Sequence, residues 1–160
     1  MPGYHRARVK WIGFVIVPLL LVAFGVTVYV LTRPPDRELD AQGRAWVAAY
    51  EEWSATSVRD VDAALVGMDF GKEARNARLI EPLRGCSASI VRLGEPPDLL
   101  ESVEQLALEG CGRAEHAVGL NDEFGTASLA SIKLHLGEAE DRLSLARRTL
   151  RIELGDAPQP

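Results

Sequence analysis

The chain has 160 residues, 47% of them hydrophobic, with 18 basic against 23 acidic side chains and a formal net charge of −5. Arg6, Arg8 and Lys10 stand ahead of the first apolar run, so residues 33–160 carry 15 basic against 23 acidic groups, a balance of −8. This argues against nucleic acid as a partner, because a duplex binder clusters Lys and Arg to displace counterions from phosphates, and here the basic residues are interleaved with Glu and Asp.

Residues 1–10 form a short basic leader. Behind it Trp11 to Leu31 is uncharged and apolar, and Thr32-Arg33-Pro34-Pro35 ends the run. A helix over this run rises about 31 Å, close to the thickness of a bilayer hydrocarbon core. Residues 11–32 are therefore predicted to be a single-pass transmembrane helix, with the lipid bilayer as the partner of residues 11–31. A cleaved secretory signal has a shorter apolar region and a small-x-small cut site. Val28-Tyr29-Val30-Leu31 is too bulky for one, which favours an uncleaved signal-anchor; Pro18 is tolerable inside a membrane helix. Orientation follows the tighter basic flank. Arg6, Arg8 and Lys10 outweigh Arg33, Arg37 and Arg44, which puts the N-terminus in the cytoplasm and the rest of the chain outside the cell membrane. The 15 arginines against 3 lysines read as a GC-rich bacterial coding background.

Residues 33–155 lack sustained apolar/polar alternation and show helical spacing throughout, so the expected fold is all-α: the anchor followed by an antiparallel bundle of about four helices. The first presents Leu39, Trp46, Tyr50 and Trp53 on one face. Ser54-Ala55-Thr56-Ser57 weakens it, and a break is predicted, with helices over roughly 37–54 and 58–68. Leu79, Leu83, Cys86, Ile90 and Leu93 then recur at steps of four and three, interrupted by Pro82 and Gly85, which predicts a kinked helix or one that begins at Pro82. From Asp98 to Val118 the apolar face is Leu100, Val103, Ala107, Cys111, Ala114 and Val118, and Asp98 with Glu101 resembles a capping box. The last helix carries Leu129, Ile132, Leu136, Ala139, Leu143, Ala146 and Leu150 in unbroken alternation of three and four. It is predicted to stop near Leu154-Gly155, leaving 156–160 as a disordered tail.

Cys86 and Cys111 fall on the apolar stripes of neighbouring helices, and an exported domain is where two cysteines pair. A disulfide is expected, although two straight antiparallel helices would leave the pair about 9 Å out of axial register. His116 and His135 raise the rival of a metal-binding or enzymatic bundle. Neither has the Glu-x-x-His pattern of carboxylate-bridged metal bundles, and both lie beside the stripes, so surface or boundary packing is the expected role. Asp60 and Asp62 read as helix-start carboxylates, Asp69-Phe70-Gly71 as a terminator and Asn121-Asp122-Glu123 as a cap for the last helix. Trp46, Tyr50 and Trp53 read first as core and second as a contact face for lipid headgroups or a protein partner. No nucleophile-base pair, metal-ligand spacing or phosphate cradle appears, so neither catalytic residues nor cofactors are predicted. The expectation is a membrane-anchored, non-enzymatic binding or scaffold module. Its rivals are the metal-binding or enzymatic bundle and an accessory subunit of a larger membrane complex.

Overall fold

The structure, a computed structural model, describes residues 39–155. The basic leader, the apolar run Trp11–Leu31 and the tail 156–160 lie outside the described residues. Among the described residues no helix is long and apolar enough to cross a membrane.

Every regular element among the described residues is helical: α1 (Ala41–Gly67), α2 (Glu73–Ile80), α3 (Cys86–Val91), α4 (Glu101–Phe124) and α5 (Leu129–Glu153). Short 3₁₀ turns cover Glu81–Leu83, Asp98–Leu100 and Gly125–Ser128.

Helix α1 starts where Asp40, in extended backbone, accepts the Gly43 N–H at 2.6 Å, satisfying one of the amides that a helix start leaves unpaired. It then runs unbroken for 27 residues, which corrects the break expected at Ser54–Ser57. The hydroxyls that were expected to compete with the helix bond inside it instead. Ser54 Oγ donates to Glu51 O at 3.1 Å and Thr56 Oγ1 to Glu52 O at 3.3 Å, both within one turn.

The turn after α1 is held by Asn76, a fully buried amide that sequence reasoning passed over. Its Nδ2 donates to Asp69 O at 2.8 Å and its Oδ1 accepts the Asp69 N–H at 3.1 Å. One side chain thus satisfies both backbone groups of a residue that the ladder no longer reaches. The return segment is not one kinked helix but two short ones. Pro82 lacks the amide a helix interior needs, and Gly85 adopts φ +74°, a left-handed conformation that favours glycine. Ile80, Leu83, Cys86 and Ile90 still face the core, with Ile80 buried where the spacing had put Leu79, which is only partly covered.

The four-helix count therefore becomes three long helices and a broken return. Helix α4 follows a 3₁₀ turn in which the Leu100 N–H donates to Pro97 O at 2.7 Å. Neither Pro97 nor Leu100 supplies a side-chain cap, so the expected Asp98–Glu101 box is not the device that starts it. Its predicted stripe is buried from Leu100 to Val118, as is that of α5 from Ile132 to Leu150, with Leu129 partly covered. α4 and α5 form an antiparallel hairpin. As position climbs along α4 from Glu109 to Arg113 to His116, its partner on α5 falls from Arg142 to Glu138 to His135. Gly110 permits the close approach, since a Cβ there would stand 2.9 Å from Leu143 Cγ and 3.2 Å from Ala139 O.

Candidate functional site

Trp46 and Tyr50 are core residues, 3% and 0% exposed, so the aromatic stripe offers no free face at those two positions. The Tyr50 ring lies between its neighbours, 5.1 Å from Trp46 and 5.5 Å from Trp53. Trp46 Nε1 donates to Gly94 O at 3.2 Å and the half-buried Trp53 donates its indole N–H to Ser89 Oγ at 2.7 Å, which ties α1 to α3 and to the loop after it. Tyr50 Oη has no hydrogen-bond partner among the described residues. Burial pushes its phenol well above the ordinary value, and the charge of Arg147 pulls the other way.

Cys86 and Cys111 form a disulfide with Cα atoms 5.2 Å apart, and the two residues are 6% and 0% exposed. The expected axial mismatch does not arise, because α3 begins at Cys86 and is only six residues long. Between Val91 and Glu101 the chain runs as loop and 3₁₀ turn, free of helical register. The junction is fastened on either side. Ser87 donates its N–H and its hydroxyl to the two carboxylate oxygens of Glu115, at 2.9 and 3.0 Å. Arg84 reaches both oxygens of Asp122, at 3.2 and 2.9 Å, and those bonds with Asp122 and Glu81 raise its pKa further. Beside the disulfide a hollow of about 180 Å³ opens between Ser57 and Asp60 of α1 and the segment bearing Arg84, Ser89 and Arg92.

The histidines were expected at the surface or boundary, and His116 is exposed while His135 is half-buried. They meet. Their rings stand 4.5 Å apart and nearly perpendicular, at 85°. His135 Nδ1 lies 3.3 Å from Glu138 Oε2, and the same oxygen is 3.4 Å from Arg113 Nη1. One turn earlier on α4, Glu109 pairs with Arg142 at 3.4 Å. Glu109, Gly112, Arg113, His116 and Arg142 line an open depression of about 380 Å³. The two imidazoles supply two candidate nitrogen ligands, one short of the three protein ligands of a catalytic zinc site. Among the described residues no group of three His, Cys, Asp or Glu side chains is placed to hold a metal ion. The register follows from the turn at Gly125–Ser128, which sets 116 opposite 135 just as it sets 113 opposite 138, whereas the cap expected at Asn121-Asp122-Glu123 placed that turn earlier in the chain.

The remaining acidic motifs have structural placements. Asp60 and Asp62 lie in the C-terminal third of α1, where they cannot serve a helix start, and Arg59 sits 3.4 Å from Asp60. Gly71 adopts φ +72° in the turn after α1, in keeping with a terminator. Asn121, Asp122 and Glu123 belong to the last turn of α4 and do not cap α5, which follows Gly125 at φ +56° and a 3₁₀ turn.

Comparison with protein-family models, with curated proteins and with solved structures finds no match for this chain.

Proposed function

We propose that the chain is a single-pass, membrane-anchored helical bundle whose domain, residues 33–155, lies outside the cytoplasm and works as a non-enzymatic binding or scaffold module. The observation that carries this reading is the buried Cys86–Cys111 disulfide, which uses both cysteines of the chain. Such bonds persist in oxidising compartments, and an export route is what the run Trp11–Leu31 with its basic leader supplies. A binding role fits the ionisable groups on the hairpin face. Glu109 with Arg142 and Arg113 with Glu138 neutralise one another across helices, an arrangement suited to a fixed recognition surface. Attachment as an accessory subunit of a larger membrane complex is a variant of the same reading.

The meeting of His116 and His135 favours one second reading, a metal-binding bundle in which an incoming partner completes the ligand set. Two measurements decide. Under the main reading, full-length protein stays in membranes after carbonate washing, and protease added to intact cells removes the domain. Soluble full-length protein, or a domain reachable only after lysis, overturns it. A stoichiometric transition metal in protein purified without chelator, lost in both His116→Ala and His135→Ala, promotes the metal reading in its place.

A further inference from the structure

The side of α5 turned away from the core carries a second pattern. Leu134, Gly137, Asp141, Leu145, Arg148 and Ile152 follow one another at steps of three, four, four, three and four. At 100° per residue this line lies roughly 180° from the buried stripe Ile132–Leu150, at the solvent pole where a bundle helix is normally most polar. Instead Leu134 and Ile152 are each 62% exposed and Leu145 is 38% exposed. Only two positions on the line are charged, with opposite signs, and neither Asp141 nor Arg148 has an ion-pair partner among the described residues. Gly137 leaves a notch. A Cβ built there meets nothing within 4 Å.

We infer that this face of α5 pairs with the same face of a second copy of the chain, in antiparallel register about a two-fold axis beside Leu145. A homodimer contact of this kind is isologous, so each residue on the line must suit the residue the axis sets opposite it. One register does this twice over. Placing Asp141 opposite Arg148 of the second copy creates two symmetry-related ion pairs, and the same register seats Ile152 over the open notch at Gly137. The two Leu145 side chains then flank the axis. Small residues let helix backbones approach, and flanking opposite charges fix orientation, as in coiled coils. Parallel pairing sets Asp141 against Asp141 and Arg148 against Arg148, and like charges in apposition disfavour it. The inference rests on α5 alone and stands or falls independently of the anchor, the export route and the histidine pair.

The test uses the full chain in detergent, with mass measured by light scattering or sedimentation over a range of concentrations. The wild-type chain associates to a dimer as concentration rises. Asp141→Arg and Arg148→Asp each weaken association by about tenfold or more, because each sets like charges opposite one another. The double exchange D141R/R148D restores it, since the pair is rebuilt with its signs reversed. Gly137→Leu fills the notch and weakens the dimer without lowering the melting temperature, because the site faces away from the core. A chain that stays monomeric at the highest attainable concentration overturns the inference. So does a dimer indifferent to the single reversals, as the parallel arrangement would be, or one that the double exchange fails to restore.

Discussion

Tyr50→Phe removes one oxygen from the centre of the aromatic cluster and leaves the ring in place. Tyr50 is fully buried and its hydroxyl has no partner among the described residues, so folding strips that hydroxyl of water without replacing the bond. An unsatisfied buried polar group costs about 1–3 kcal/mol. Against this stands the void left by the oxygen, worth about 0.3 kcal/mol for a void of roughly 10–15 Å³ at the usual cavity cost. The net expectation is a gain of about 1 kcal/mol, or roughly 3–5 °C in melting temperature for a domain of this size. Urea unfolding followed by tryptophan fluorescence should show a higher midpoint with an unchanged slope. The phenol also contributes a pH signature. Its native pKa is raised above the ordinary 10.0, so the stability associated with the neutral form is complete below that value and is lost as pH rises above it. The phenylalanine variant lacks this alkaline component. Tyr50→Ala, by contrast, should cost about 3–5 kcal/mol through the lost ring. If Tyr50→Phe is instead destabilised by more than about 0.5 kcal/mol, the hydroxyl makes a favourable bond in the folded protein and the reasoning fails.

Reduction, or the pair Cys86→Ser with Cys111→Ser, opens a loop of 25 residues, for which chain entropy alone gives about 3.5 kcal/mol. An unchanged melting temperature on reduction contradicts that figure. Gly110→Ala and Gly112→Ala should move in opposite directions when their urea midpoints are compared. The first drives a Cβ to 2.9 Å from Leu143 and 3.2 Å from the Ala139 carbonyl and costs about 1–3 kcal/mol, whereas the second meets open space and gains about 0.5–1 kcal/mol of helix propensity. Glu104 has its pKa raised by desolvation first, then by the charges of Glu101 and Glu95. Its contribution is therefore complete below the unfolded value of 4.5 and is lost as pH rises through the raised one. Glu104→Gln should melt higher than wild type at about pH 7 and lose that advantage at about pH 3.5, and a constant difference across that window argues against an ionisation effect.

The parts of the fold legible in the sequence are those governed by one helix at a time. The stripes of α4 and α5 are set by helical spacing, and their buried residues match it from Leu100 to Val118 and from Ile132 to Leu150. Misreadings fall where a local preference was overruled or a partner lay far along the chain. The hydroxyls of Ser54 and Thr56 bond within α1, so a segment rich in weak helix formers stays helical. Asn76 looked like any polar residue because its role depends on where the chain turns seven positions earlier. The disulfide was legible as a pairing of stripes, while its geometry required the short α3 that Pro82 and Gly85 impose. Tertiary register was the missing ingredient for the histidines, since helical spacing places residues on faces and only the hairpin turn decides which faces meet.

Register also explains why the outer line of α5 is easily read as scattered exposure. Leu134, Leu145 and Ile152 are eleven and seven residues apart, too sparse to disturb the polar impression of the sequence, yet whole numbers of helical turns put them on one line about 27 Å long. A single helix face of that length buries less than a standard protein interface, so the contact should be weak between freely diffusing chains. Weakness suits a chain tethered as proposed above. Attachment to a common surface acts as a linker does, raising effective concentration and converting a modest contact into a populated dimer without any new interaction. The proposed anchor would thus raise the population of the α5 pair without altering the contact, and a chain lacking residues 11–32 should dimerise with an unchanged constant in dilute solution while cross-linking as a dimer in cells far less than the full chain does.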